Sequence, residues 1–271
     1  MFETILGLLV FAIGASVGSF LNVVADRLPA GQSLVSPRSH CPNCKRQIPT
    51  RELLPIVSYL WLRGKCRVCG EKIPLRVFGI EAITGLLFVV VYLKFDYSVT
   101  FAVVSAGVAF LMAIAIIDLE HRLILNRMVL PAMAVMLVLS PFWTELGIDR
   151  EFVVDNTYLA SLLNSLAAGI GAFVIFFVVA IIYPAGMGGG DVKMAGMLGL
   201  MVGYPGIILT LWGAVVVGGA VAITLLVLGR RSRKDAIPFG PFLSLGGIIA
   251  LVGGTEIVDA YYNFMDGLVS G

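Results

Sequence analysis

Long apolar runs alternate with short polar joints along this chain, and that alternation leaves few ways to fold. The runs lie at 4–24, 78–94, 98–117, 128–143, 158–183, 194–204, 206–228 and 238–258. Crossing a bilayer takes roughly 20 apolar residues. Inside hydrocarbon every backbone polar group must be satisfied within the chain, so the crossing elements are helices or closed barrels. Segments of alternating apolar and polar residues are absent, which excludes a barrel. Composition agrees: 59% of the 271 residues are hydrophobic, 13% are charged and the mean hydropathy is +0.97. A soluble domain has about 45–50% apolar and about 25% charged residues. The expected fold class is therefore an all-α polytopic membrane protein with about eight transmembrane helices. The run at 194–204 is short and glycine-rich, the mark of a tilted or broken span, and the run at 158–183 is long enough to tilt. The first run reads as a span rather than a cleaved signal, because Glu3 is the only charge before it and no small-residue cleavage site follows.

Eight spans put both termini on one side and divide the loops into two sets. One set (25–77, 118–127, 184–193 and 229–237) contains all of the 19 basic residues except Lys94 and Arg150. The other set carries Glu3, Asp96, Glu145, Asp149, Glu151, Asp155, Glu256, Asp259 and Asp266. The positive-inside rule assigns the basic set to the cytoplasm and both termini to the exterior.

The segment 25–77 is the one sizeable soluble piece, and it holds all four cysteines. Cys41 and Cys44 form one Cys-x-x-Cys knuckle, Cys66 and Cys69 another, with 21 residues between the pairs. Paired knuckles at about this spacing are the frame of a tetrahedral four-thiolate zinc site. Pro42, Gly64 and Gly70 suit the tight turns involved. A disulfide or redox role is the competing reading, and a reducing cytoplasm disfavours it. Zinc would hold together a loop too small to bury a core. His40 reads as a bystander beside a completed ligand set.

Two carboxylates stand at span boundaries. Asp118 closes "FLMAIAIID"; Asp191 lies in "GMGGGDVK". A boundary aspartate can simply cap a helix or face headgroups, and that reading stays open for Asp118. Around Asp191 the glycines give a backbone able to approach a ligand closely, and irregular backbone at membrane depth belongs at a cavity. Asp191 also suits the N-cap of a helix starting near Val192. Two aspartates that converge can share a proton, one serving as base and the other as acid. Other nucleophiles are poorly represented: the histidines are His40 and His121, and no Gly-x-Ser-x-Gly elbow occurs. His121 is three residues beyond Asp118 and reads as a surface residue.

Four stretches now carry a resemblance: "GSFLNVVADRLP" at 18–29, the knuckles from Cys41 to Gly70 with "LRGKC" between them, "AIIDLEHRLILN" at 115–126 and "GMGGGDVKMAG" at 186–196. Together they resemble the bacterial type IV prepilin peptidases, or prepilin leader peptidase/N-methyltransferases, membrane aspartic proteases with a Gly-x-Gly-Asp motif. The resemblance implies Asp118 and Asp191 as the catalytic pair. It implies cleavage of type IV prepilins and type II secretion pseudopilins, after the glycine that ends a short basic leader, at the cytoplasmic face of the bacterial inner membrane. It also implies N-methylation of the new N-terminus with S-adenosylmethionine as donor. All four cysteines are kept, which favours the bifunctional type. Leu125 departs from the family, where many relatives have proline; the expected effect is on loop stiffness, not chemistry. The implied division is a first transmembrane helix at 1–24, a zinc-binding and methyltransferase region at 25–77, and a peptidase domain at 78–271. The methyl-donor residues have no recognisable signature. The expected partners are prepilins, pseudopilins and membrane lipid, and no nucleic acid.

Two other classes compete. An ion-coupled transporter would use the aspartates as ion sites and the glycine turn as a broken helix, but it leaves the knuckles unexplained. A non-catalytic scaffold would use the zinc loop to dock a partner, leaving the aspartates idle. Ion flux in proteoliposomes marks the first; function retained without either carboxylate marks the second. The charge split also makes a topological prediction. A reporter fused within 145–155 should read as external and one within 230–234 as cytoplasmic; both on one side would break the eight-span reading.

Overall fold

The computed structural model describes residues 2–148, 150, 157–184, 186–229 and 237–270. The loop charges Asp149, Glu151, Asp155, Arg230, Arg231, Arg233 and Lys234, and most of both reporter sites, lie outside the described residues. Nine helices are described: α1 (Phe2–Arg27), α2 (Val57–Trp61), α3 (Leu75–Phe95), α4 (Val99–His121), α5 (Asn126–Leu139), α6 (Thr157–Ile182), α7 (Gly189–Val202), α8 (Gly206–Val227) and α9 (Gly240–Ser270). Extended pairing among the described residues is confined to two isolated bridges, His40 with Gln47 and Lys65 with Lys72. The chain is thus an all-α, multi-pass membrane protein.

A helix stands at each apolar run, but the elements differ in reach. Six are long and apolar enough to cross a membrane: α1, α3, α4, α6, α8 and α9. α5 has 14 residues, with Pro131 inside it, and is followed by the 3-10 turn Ser140–Phe142. α7 also has 14 residues, at 1.5 Å each too short to span about 30 Å. The spans carry large apolar side chains on open faces, among them Ile175 on α6 and Trp212 and Val215 on α8. A hydrocarbon surrounding suits that arrangement.

Two compact units divide the chain, residues 1–113 and 114–271, with the division falling inside α4. In the first unit, α1 and α3 pack closely because glycines face the crossing. A Cβ on Gly18 would lie 2.9 Å from the Glu81 Cα, the small-residue contact typical of membrane helices. Val10, Phe88 and Tyr92 form the cluster beside it, and Phe101 stands edge-on to Tyr92 at 6.2 Å. The segment joining α1 to α3 has almost no core. Between Asp26 and Gly79 only Cys41 and Gly64 are buried.

In the second unit α7 is the core. Ten of its 14 residues are buried, and it packs against α5, α6, α8 and α9. Gly199 sets the contact with α6: a Cβ there would lie 2.5 Å from the Gly169 Cα. Arg150, which the sequence reading leaves as an external loop charge, is instead 4% exposed. Its guanidinium donates to Ser165 Oγ and to the carbonyls of Leu200 and Met201, and lies 4.4 Å from the Trp143 ring centroid. Carbonyls at a helix C-terminus lack intrahelical donors, so these contacts satisfy part of the buried guanidinium, whose Nε remains without a partner among the described residues.

The α6–α7 contact gives a direct test. Gly199→Ala should destabilise the protein by about 1–3 kcal/mol through overpacking. Gly171→Ala on α6, where an added Cβ meets nothing within 4 Å, should be neutral or slightly stabilising. Thermal unfolding in detergent micelles separates the two.

Candidate active site and metal centre

Asp118 lies one turn before the end of α4 and is 5% exposed. Beyond His121 the backbone leaves the helix at Arg122, with φ +54, and continues to Leu125 at φ −77 and ψ 122. That φ is within the range a proline ring fixes. Leu125 thus takes a backbone angle that a proline at this position would also adopt.

Asp191 is the third residue of α7, not its N-cap; the cap position is Gly188. The Gly188 N–H donates to Asp191 Oδ2 at 3.1 Å, while the Asp191 N–H donates to the Gly188 carbonyl at 3.1 Å. The helix thus begins three residues earlier than expected, and the carboxylate sits inside its first turn, where backbone N–H groups favour negative charge. Asp191 Oδ1 is buried with no hydrogen-bond partner among the described residues.

Two contacts tie the turn after α4 to the start of α7, and a third ties Asp118 to the start of α9. Gly190 has no side chain, and a Cβ there would lie 2.8 Å from the Ile124 Cβ. Lys193 Nζ donates to Asn126 Oδ1 at 2.9 Å. At the start of α9, the Gly240 N–H donates to Asp118 Oδ2 at 2.9 Å, and a Cβ on Gly240 would approach the same oxygen to 2.7 Å. Asp191 lies outside the six spans. Burial pushes its carboxyl up to about 6; the Gly188 N–H pulls it down, and the Asp118 charge pushes it further up. Each carboxylate therefore has one oxygen held by a glycine N–H, and the two feel each other's charge. Such a pair titrates in separated steps, making one proton donor and one acceptor available together. His121 is exposed at the end of α4.

Gly240 escaped the sequence reading, which placed it within an ordinary span at 238–258. A signal was available: "PFGPF" at 238–242 sets a glycine between two prolines, a turn signature rather than a helix interior.

The four cysteine sulfurs converge in the first unit, all within 4.8 Å of one another. Cys41 and Cys69 Sγ atoms are 3.7 Å apart, and those of Cys44 and Cys66 are 4.0 Å apart. A zinc ion at about 2.3 Å from each of four tetrahedral sulfurs spaces them by about 3.8 Å, so the donor set fits. The knuckles repeat one design. Cys41 N–H donates to the Arg46 carbonyl at 3.0 Å and Cys66 N–H to the Glu71 carbonyl at 2.7 Å. Lys45 and Gly70, which follow the second cysteine of each pair, have φ +58 and +72. Backbone N–H groups of Cys69 and Val68 pull the Cys66 thiol down to about 6. The Glu71 N–H pulls Cys69 the same way, yet burial and the neighbouring Cys66, Cys41 and Cys44 sulfurs outweigh it and push that thiol up to about 11. Four sulfurs this close ionise together only with a cation between them. His40 is not among the clustered ligand atoms.

Among the described residues the chain is a multi-pass helical protein with a buried Asp118, a half-buried Asp191 and a separate four-thiol cluster whose sulfurs could hold a metal ion. Residues 12–95 match the bacterial peptidase A24 N-terminal domain and residues 105–223 match the type IV leader peptidase family. A prepilin leader peptidase/N-methyltransferase of Bacillus subtilis is 30% identical over 256 residues, covering 93% of this chain and 96% of the relative. Proteins of the same description from Pseudomonas aeruginosa and Aeromonas hydrophila are 30% and 31% identical, covering 93% and 95% of this chain and 92% and 94% of theirs. No solved structure matches the chain. The chain belongs to the type IV leader peptidase family, and as a member it is an enzyme, a protease with methyltransferase activity.

The thiol geometry predicts about one zinc per chain by elemental analysis. Exchanging Cys41 and Cys44 for serine should remove the metal and loosen the segment between α1 and α3, seen as faster proteolysis there. Full zinc occupancy in that double variant would refute the assignment.

Proposed function

We propose that this protein removes the short basic leader from type IV prepilins and type II secretion pseudopilins with Asp118 and Asp191 as the catalytic pair, and then methylates the new N-terminal amine. One observation carries the reading: carboxylates 73 positions apart in the sequence are held in mutual electrostatic reach by the turn after α4 and the starts of α7 and α9. The transporter reading lacks a use for the thiol cluster, and the scaffold reading lacks one for the carboxylates.

In the proposed cleavage, one aspartate is ionised and takes a proton from water, directing the oxygen at the scissile carbonyl carbon. The other is protonated and donates to the carbonyl oxygen as the tetrahedral intermediate forms. Asp191, its carboxyl raised to about 6, suits the donor. Asp118, held by the Gly240 N–H, suits the acceptor. Collapse of the intermediate returns the proton to the leaving amine. The glycines at 188–190 leave room for the substrate backbone beside Asp191.

The basic-residue distribution, read over eight crossings, supports placing this site and the cysteine segment on the cytoplasmic side of the bacterial inner membrane, with both termini external. That reading requires the short α5 and α7 to complete the crossings begun by the six long helices, because six crossings alone would put Asp118 and Asp191 on opposite sides. A pilin leader is basic and the segment after it is an apolar helix, so the scissile bond would lie at that same interface. Zinc held by Cys41, Cys44, Cys66 and Cys69 would fix the segment 25–77, our candidate for the methylating region. The peptidase domain would then occupy 78–271, with 1–24 as the first span. S-adenosylmethionine would supply the methyl group: the amine nitrogen forms the new C–N bond as the C–S bond breaks, with loss of one amine proton and release of S-adenosylhomocysteine.

The test is prepilin cleavage in detergent. Asp118→Asn and Asp191→Asn should each abolish it in a folded protein, and the double variant should be scarcely worse, because the residues act as one unit. Methylation of an already cleaved pilin should persist in all three. The pH profile of the wild type should be bell-shaped. Its alkaline limb reflects loss of the donor's proton and should lie near 6 or above, beyond the ordinary carboxylate range. Near-normal cleavage by either single variant would overturn the aspartate mechanism.

A further inference from the structure

Within the first unit a cavity of about 330 Å³ lies between the C-terminal end of α1, the N-terminal end of α3 and the two knuckles. Small-molecule sites run from about 300 to 1,000 Å³. Most charges on its wall are already matched. Arg76 Nη2 donates to Asp26 Oδ1 at 2.8 Å, and Arg46 and Arg67 both reach Glu52 Oε1, at 3.3 and 3.6 Å.

Two buried acceptors on this wall stand without a donor or a cation, and the wall also carries the charged Glu71, Lys72 and Arg76. Asn22 is 5% exposed; its amide nitrogen donates to the Gly18 and Val77 carbonyls at 3.1 and 3.4 Å. Those two bonds orient the amide and leave Oδ1 buried with no partner. Glu81 is 4% exposed, and its Oε2 accepts the Ile56 N–H at 2.7 Å. Among the described residues no cation pairs with it. Ile56 presents that N–H from a left-handed backbone, φ +64, a conformation unfavourable for a β-branched residue.

A buried carboxylate without a cation and a buried carbonyl without a donor are each unfavourable. Both are acceptors, so an occupant that satisfies them carries a positive charge and N–H groups, while Lys72 and Arg76 on the same wall suit a carboxylate on that molecule. The remaining wall includes Leu53, Tyr59, Leu62, Ile73 and Val77, which suits an uncharged ring system on the same molecule.

We propose that this cavity is the methyl-donor site, binding S-adenosylmethionine with its positive charge against Glu81 and its ammonium N–H directed to Asn22 Oδ1. The assignment rests on the methyltransferase reading above. It extends that activity beyond residues 25–77, because both recognising side chains stand on the membrane helices that flank the cysteine segment. S-adenosylmethionine carries a sulfonium and an ammonium a few bonds apart, matching two adjacent acceptors.

Calorimetric titration of the purified, zinc-loaded full chain tests it, with S-adenosylmethionine and S-adenosylhomocysteine as probes. Glu81→Gln keeps an acceptor for the Ile56 N–H and removes the charge; it should weaken S-adenosylmethionine at least tenfold, and Asn22→Ala should also weaken it. Equal weakening of both probes places the shared ammonium at Glu81, while selective loss of S-adenosylmethionine places the sulfonium there; either supports the site. Unchanged binding by Glu81→Gln, with zinc content and melting temperature intact, overturns it. If the variants lose zinc or unfold, ultraviolet labelling of the wild type with radiolabelled S-adenosylmethionine decides. Label within residues 19–81 supports the site and label elsewhere overturns it. A wild type that neither binds the donor nor methylates a cleaved pilin fails the methyltransferase reading itself.

Discussion

The contact between α6 and α7 at Gly199 is the constraint on which the second unit depends. A helix of 14 residues is marginal on its own, and α7 contains Gly189, Gly190, Gly196 and Gly199, each about 1 kcal/mol less helix-favouring than alanine. Packing supplies what propensity withholds. Backbone-to-backbone contact with Gly169 lets the helix sit in the middle of the unit, and burial on nearly every face completes it. The glycines that weaken the helix as a segment are those that let it be buried.

The other end of this helix is less enclosed. Its first turn, with free N–H groups, begins at the exposed Gly189 and carries the half-buried Asp191. Asp191 occupies that turn, and glycine again governs its surroundings: Gly188 donates to it and Gly190 admits Ile124. Gly240 performs the same service for Asp118. Both carboxylates are thus positioned by backbone donors, which do not titrate and do not rotate away.

The fold class and the cysteine cluster were legible in the sequence, and Asp118 and Asp191 stood out in it as candidates, each for a local reason. Apolar runs of span length, a Cys-x-x-Cys repeat and a carboxylate among glycines are patterns complete within a few residues. The start of α7 was misplaced because glycines at 188–190 read as a turn, whereas the helix already begins at Gly189. Gly240, 122 residues from its partner Asp118, and Glu81, 25 residues from Ile56, contribute through contacts that leave no periodicity or spacing to detect. Arg150 was the plainest misreading. A cation in a short joint between spans has an exposed place by default, and nothing near it in the chain announces that two carbonyls at 200 and 201 await it.

Arg150 has a mechanical meaning. α7 is tied near its start to the turn after α4, through Lys193 and Asn126, and receives a guanidinium at its last carbonyls. From Asp191 to Met201 is a rise of about 15 Å. A rod pinned at both ends cannot slide along its axis or turn about it without breaking one of the pins. The position of Asp191 is therefore gauged in part from the far end of the helix.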